Sequence, residues 1–299
     1  MIVVFGSINI DLITKVDRLP ERGETVLGAA YDMSPGGKGA NQALAARRAG
    51  ADVRFVGSVG DDVFAEPALA NLRADGVDLS ALCRSEWPTG CGMIAVDPDG
   101  ENQIVVASGA NLATTADQIP TDWLTGDTTV LLQMEVPPDA NEHAARLAKE
   151  YGARVVLNLA PAGAFPMSLL SERDILLVNE SEALLAARLA GHETDEAAAA
   201  AAHLSDDFGL TVVLTLGAAG ALAISDGRED RIPATPIEPV DTVGAGDAFA
   251  GVLAAAIDAG REMRHAIRRA VVAGGLACLG AGAQSSLPTA QEIDAALAD

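Results

Sequence analysis

Ile175-Leu176-Leu177-Val178-Asn179-Glu180-Ser181-Glu182 passes from four apolar residues to four polar ones without a break. The apolar run has no alternation, so the strand it forms must be covered on both faces. Asn179-Glu180-Ser181-Glu182 then offers a capping residue and early-turn acids, which mark a helix start. A doubly covered strand feeding straight into a helix belongs to a parallel sheet with helices on both sides.

The same unit recurs along the chain. Ile2–Gly6, Val53–Ser58, Val130–Met134, Arg154–Asn158 and Thr211–Leu216 read as further buried strands. Helices are expected after Lys38, Val63, Asp139, Glu180, Glu196, Ala245 and Glu262, with the alanine run Ala197–Ala202 as a helix interior. The fold class is therefore α/β with a mostly parallel central sheet.

Two regions depart from this rhythm. Glu24–Ser34 and Gly90–Ser108 read as strands with polar alternation, and Asp97-Pro98-Asp99-Gly100 is a turn between two strand-like runs. Together they predict a small β-sheet set apart from the main body, as a lid would be. The expected organisation is one domain, 1–299, with lid segments at approximately 10–35 and 88–110.

A chain of 299 residues with 49% hydrophobic and 21% charged residues has ample material for a core and is not a disordered composition. Its net charge of -22 argues against nucleic acid and anionic membrane as partners. Cys83, Cys91 and Cys278 form no metal-binding pair, and the odd count suits reduced thiols. No stretch has the length of a membrane span and no basic segment leads into an apolar one, so a cytoplasmic location is expected. His143, His192, His203 and His265 lack metal-ligand spacing and read as surface or structural residues.

Five segments can carry chemistry. Asp241-Thr242-Val243-Gly244-Ala245-Gly246-Asp247 leads into an apolar helix. Its small residues admit a close ligand, and the helix start presents free N–H groups and a positive dipole end to an anion. Asp247, in the first turn, can accept a hydroxyl proton. The plain alternative is a glycine-rich helix start.

Gly36-Gly37-Lys38-Gly39-Ala40-Asn41 exposes backbone and adds two donors, or is a simple turn before a helix. It is not a phosphate-binding Walker loop, because no Ser or Thr follows Lys38. Asn9 and Asp11 follow the first strand, and Glu135 follows the strand Val130–Met134. Such positions at carboxyl ends of strands meet ligands in open α/β sheets, or else form Asx turns. Asn179–Glu182 caps a helix or holds Mg²⁺ through water. Thr215-Leu216-Gly217-Ala218-Ala219-Gly220 ends a strand in a glycine turn suited to a nucleotide.

In order and in sequence these segments resemble the ribokinase (PfkB-type) family of sugar kinases. The likeness runs from Val3-Val4-Phe5-Gly6-Ser7-Ile8-Asn9 to Gly282-Ala283-Gln284-Ser285-Ser286-Leu287-Pro288. Gly36–Ala43 and the closing GAQSS are most similar to the ribose-phosphorylating members. The resemblance implies a Rossmann-like three-layer domain with a β-sheet lid, and a homodimer formed through that lid. It implies that Asn9, Asp11, Gly37, Lys38, Gly39, Asn41 and Glu135 bind the sugar. Asp247 would be the base, with the amides of Gly244, Ala245 and Gly246 as anion hole. Asn179 and Thr215, Leu216, Gly217, Ala218, Ala219 and Gly220 would meet ATP, with Gly246 beside its phosphates and Glu182 organising Mg²⁺ through water. K⁺ or a similar monovalent cation would lie against Asp241, Val243, Ala277, Gly280, Gly282 and Ser286.

The implied reaction is ATP-dependent phosphorylation of a primary sugar hydroxyl, with D-ribose the expected acceptor. A kinase of the same family acting on another sugar or a nucleoside is the alternative within the class. A non-catalytic sugar-binding protein is the alternative outside it. A nicotinamide-dependent oxidoreductase lacks its glycine fingerprint here.

Overall fold

The computed structural model describes residues 1–298. In chain order the elements are β1 (Ile2–Phe5), β2 (Asn9–Lys15), β3 (Tyr31–Gly36), α1 (Lys38–Arg48), β4 (Val53–Gly60), α2 (Ala65–Ala74), β5 (Asp78–Ser85), β6 (Gly90–Val96) and β7 (Asn102–Ala107). There follow β8 (Thr129–Leu132), α3 (Pro138–Glu150), β9 (Arg154–Asn158), β10 (Ile175–Asn179), α4 (Glu180–Leu189), α5 (Ala197–Phe208), β11 (Thr211–Thr215), β12 (Ala221–Ser225) and β13 (Arg228–Ile232). The described chain closes with α6 (Ala245–Asp258), α7 (Met263–Ala277) and α8 (Ala290–Ala298).

Nine strands form the main sheet, in the order β13-β12-β11-β10-β9-β8-β1-β4-β5. Pairing is parallel from β11 through to β5, and only β12 and β13 run antiparallel at one edge. Alternation within each strand splits the core in two. Ile2 and Val4 pack with α1, α6 and α7 on one side. Val3 and Phe5 pack with α3, α4 and α5 on the other. The three-layer α/β expectation is borne out. Polar residues that follow the apolar runs gather where the strands end, which is where such sheets bind ligands.

A second sheet has the order β3-β2-β6-β7. The chain leaves the main sheet after Phe5, enters β2 within three residues, and returns through β3 directly into α1. The β6–β7 hairpin turns at Asp97–Gly100, closed by Gly100 N–H donating to the Asp97 carbonyl at 3.1 Å. Tyr31, Met33, Met93, Ile104, Val105 and Val106 leave its surface apolar and exposed.

The strand expected over Glu24–Ser34 is shorter and later, at Tyr31–Gly36, because its register is set by pairing Thr14 with Tyr31 and Asn9 with Gly36. Residues 16–30 form the loop between, clasped by the Arg18–Glu24 ion pair. Asn9 and Asp11 do not form an Asx turn; they lie within β2.

α1 and α6 cross at close range. A Cβ on Gly251 would stand 2.4 Å from the Gln42 carbonyl oxygen and 2.6 Å from Ala45 Cβ. Only a residue without a side chain fits there, and that crossing brings the first turns of the two helices together.

Candidate active site

The first turn of α6 is open. Gly244 precedes it with φ of 82°, a left-handed conformation, and a Cβ there would lie 2.8 Å from Ala283 Cα. No side chain among the described residues caps the helix. The Ala245 N–H reaches the Thr242 carbonyl at 3.3 Å, whereas the amides of Gly246 and Asp247 have no acceptor among the described residues. Free donors at the positive end of a 14-residue helix attract an anion.

Asp247 is buried at this helix start, 7% exposed. Gln42 Nε2 donates to its Oδ1 and Asn41 Nδ2 to its Oδ2, each at 2.9 Å. Two amides from α1 thus fix the rotation of a carboxylate on α6. Asn41 Oδ1 in turn accepts from Gln284 Nε2 at 3.0 Å.

Around them the polar residues at the strand ends converge. Glu135, beyond β8, accepts through Oε2 from the Lys38 amide at 2.9 Å and from Ser7 Oγ at 2.6 Å. Ser7 Oγ accepts from the Gly39 amide at 3.2 Å, and its carbonyl accepts from the Ala40 amide at 2.9 Å. The start of α1, with Gly37 and Gly39 buried, is therefore capped by Glu135 and Ser7 from other elements. Glu135 Oε2 serves the scaffold, and Oε1 remains for a ligand.

Asn9 is held from the side opposite its amide donors. Its Oδ1 accepts from Asn111 Nδ2 at 2.8 Å, and Asn111 also bonds both backbone groups of Ile8. Asn9 therefore keeps its N–H₂ group for another partner. Asp11 sits between β3 and β6, where Gly36 and Gly92 leave room for its carboxylate. Its pKa is pushed up to about 6, first by burial and then by the charges of Glu135 and Asp247. At Lys38, burial works against the ammonium, but Asp247, Glu135 and Glu182 more than offset it and raise the pKa above the usual lysine value. One lysine therefore anchors the field of a ring of acids.

Asn179 and Glu182 realise the capping alternative: Asn179 Oδ1 accepts from the Glu182 amide at 2.9 Å, and Glu182 Oε2 accepts from the Asn179 amide at 2.8 Å. Glu182 is buried, and burial raises its pKa against the opposing effects of the Asn179 amide and Lys38. Its second oxygen is uncommitted. Asn179 lies beside Thr215 in the sheet register, so the Thr215–Gly220 turn shares this side of the site. Leu216 N–H donates to the Gly220 carbonyl at 2.8 Å, closing the turn, while Gly217, Ala218 and Ala219 stay exposed.

The Asp241 carboxylate stitches two loops together. It accepts from Val243 N–H at 3.0 Å and from Gly282 N–H at 2.9 Å. Ser286 Oγ donates to the Gly282 carbonyl at 2.7 Å, and Gly280 packs against Ser286. Ala277 ends α7 just before this loop. Hydrogen bonds thus tie Val243, Gly282 and, through Gly282, Ser286 to Asp241 just before α6. Among the described residues no three His, Cys, Asp or Glu side chains are placed to hold a metal by themselves.

Four positions here were not singled out by sequence: Gln42, Ser7, Asn111 and Gln284. Gln42 and Gln284 stand inside the GGKGANQA and GAQSS segments, but their partners are visible only once α1, α6 and the 278–287 loop meet. His192 pairs with Asp207 and stacks on His203 with ring centroids 4.2 Å apart, away from these residues in sequence and contact.

The model of the pfkB family carbohydrate kinases matches residues 1–290. The ribokinase of Haemophilus influenzae is 37% identical over 297 residues, covering 97% of this chain and 96% of its own length. The chain spans 55% of a longer relative, a bifunctional ribokinase/ribose-5-phosphate isomerase A of Fructilactobacillus sanfranciscensis, at 37% identity over 98% of this chain. Among solved structures, Thermotoga maritima ribokinase superposes with a TM-score of 0.91 at 30% identity, covering 100% of this chain and 99% of that one. Arabidopsis thaliana ribokinase, solved with ribose and ATP, has a TM-score of 0.87 at 30% identity, covering 99% and 98%.

Proposed function

Because the chain belongs to the pfkB family of carbohydrate kinases, we propose that it transfers the terminal phosphoryl group of ATP to the primary hydroxyl of D-ribose, giving ribose 5-phosphate. The observation that carries this reading is Asp247, a buried carboxylate held by Asn41 and Gln42 in a first helical turn with unpartnered amides.

The sugar binds between the two sheets. Asn9 and Asp11 come from the small sheet; Lys38, Asn41 and Glu135 come from the main body, with Gly37 and Gly39 allowing close approach. Asp247 takes the hydroxyl proton as the new phosphorus–oxygen bond forms. The free amides of Gly246 and Asp247, with that of Gly244, meet the charge on the transferring group, and the amide of Ala245 joins them once it leaves the Thr242 carbonyl. ATP lies along Asn179 and the Thr215–Gly220 turn. The small sheet acts as a lid that excludes water and limits ATP hydrolysis.

Two ions belong to this reading. Mg²⁺ would neutralise polyphosphate charge when bound, and Glu182 would hold its water shell through Oε1. The Asp241–Gly282–Ser286 loop, with the carbonyls of Val243, Ala277, Gly280 and Gly282, would hold K⁺ or a similar monovalent cation. The exposed apolar face of the lid is where two copies would pair, which light scattering of the purified protein tests.

Coupled ADP release over ribose, 2-deoxyribose, fructose, fructose 6-phosphate and adenosine, with and without K⁺, tests the assignment. Ribose is expected to give the highest kcat/KM, with K⁺ raising turnover. A preference for adenosine would move the chain to the nucleoside kinases. Sugar binding without ADP release would make it a binding protein.

A further inference from the structure

A line of three amides runs from the surface of α2 to the base. Asn71 Nδ2 donates to Gln284 Oε1 at 2.9 Å. Gln284 Nε2 donates to Asn41 Oδ1 at 3.0 Å, and Asn41 Nδ2 donates to Asp247 Oδ2 at 2.9 Å. Gln284 is 1% exposed and Asn41 6%, so water does not compete for these groups.

An amide is polar end to end: its oxygen only accepts and its nitrogen only donates. Gln284 and Asn41 each accept at oxygen and donate at nitrogen, so the orientation of one dictates that of the other. Asn41 has two orientations that fit the same space. In one, an N–H faces Asp247; in the other, an oxygen faces an oxygen. The Gln284 N–H selects the first.

Gln284 itself is fixed by its backbone. Arg48, at the end of α1, donates through Nη1 to the Gln284 carbonyl at 2.7 Å and to the Leu287 carbonyl at 3.1 Å. Arg48 is in turn paired with Asp75 at 2.7 Å. The same loop carries Gly282, whose amide bonds Asp241. It therefore touches the loop before α6 through Gly282 and the first turn of α1 through Gln284.

We propose that Gln284 is a positioning residue: it sets the orientation of the Asn41 amide and thereby the hydrogen bonding of Asp247, so that the base responds to the place of the 278–287 loop. This rests on the reading of Asp247 as the base.

Coupled ADP release at saturating sugar tests it. Gln284→Glu keeps the size and the acceptor for Asn71 but has no N–H for Asn41. The Asn41 amide then turns its oxygen to Asp247, and turnover falls at least ~10-fold, as for a lost hydrogen bond to a charged group. KM for the sugar shifts as well, because Asn41 is among the sugar's partners, but by less than turnover falls. Gln284→Met offers neither donor nor acceptor, leaves Asn41 free to keep donating to Asp247, and loses less.

Asn71→Asp tests the same line from its half-buried outer end, and it serves should Gln284→Glu fail to fold. An acceptor at position 71 reverses Gln284 and then Asn41, so turnover falls in the wild type but not beside Gln284→Met. Equal turnover in the two Gln284 variants overturns the proposal. So does an Asn71→Asp change that is silent in the wild type or persists beside Gln284→Met. A normal rate in Asp247→Asn overturns the assignment of the base and, with it, the positioning role of Gln284, whereas the Gln284 and Asn71 variants overturn the positioning role alone.

Discussion

Gly251 faces the backbone of Gln42 so closely that an added Cβ would stand 2.4 Å from the Gln42 carbonyl oxygen. Gly251 lies one turn after Asp247 on α6, and Gln42 is one of the two donors to that carboxylate. The contact that packs the helices also sets the distance between donor and acceptor.

Gly251→Ala should therefore harm stability and turnover together. Overpacking of this kind costs roughly 1–3 kcal/mol. Urea unfolding is expected to show that loss, and ADP release at least a ~10-fold fall in turnover from a displaced base. Unchanged turnover in a destabilised protein would separate the helix crossing from the chemistry.

Asp247→Ala removes the acceptor of two buried amides as well as the base. Turnover is expected to fall by at least ~10²-fold, the lower range for loss of general base catalysis. Stability should fall by roughly 1–3 kcal/mol for each donor left without a partner. A variant retaining near-normal turnover would remove Asp247 from the mechanism.

Asp11 gives a pH signature. Its carboxyl is pushed up to about 6 in the folded protein from an ordinary aspartate value of 3.8, so the native state binds its proton more tightly than the unfolded chain does. The protein free of ligands therefore loses stability through this group as pH rises from about 4 to about 6, and the loss is complete above that window. Asp11→Asn should stabilise the protein at pH 7 by roughly 1–2 kcal/mol, after discounting for its half-buried position, and by nothing below pH about 3.8. Thermal melts of both proteins across that range check the sign.

Glu135 is expected to act on the scaffold before it acts on the sugar. Glu135→Ala leaves the Lys38 amide and Ser7 Oγ without their acceptor. A stability loss of roughly 1–3 kcal/mol follows. Ser7→Ala, which removes one arm of the same cap, should lose less and leave the sugar KM near normal. If Glu135→Ala changes KM with no change in melting, the capping role is not the important one.

The main sheet was legible because β1, β8, β10 and β11 are built on unbroken apolar runs, Ile2–Phe5, Val130–Leu132, Ile175–Val178 and Val212–Leu214. β2 was not, because Asn9-Ile10-Asp11-Leu12-Ile13-Thr14-Lys15 alternates and so reads equally as a polar loop after β1. β13 was hidden for a related reason: Arg228-Glu229-Asp230-Arg231-Ile232 is almost wholly charged, and only antiparallel pairing with β12 makes it a strand. Asp247, Asn41 and Lys38 stood out by residue type beside glycine. Gln42 and Gln284 did not, because hydrogen bonds between positions 205 and 243 apart arise from tertiary packing and leave no local pattern.

The charge arrangement at Lys38 also sets how this protein can be handled chemically. The chain has three lysines, and Lys15 and Lys149 are exposed on the small sheet and on α3. Amine reagents attack only the deprotonated form, and the surrounding acids hold Lys38 protonated. Acylating dyes and amine-coupled surfaces will therefore react with the exposed Lys15 and Lys149 ahead of the partly buried Lys38.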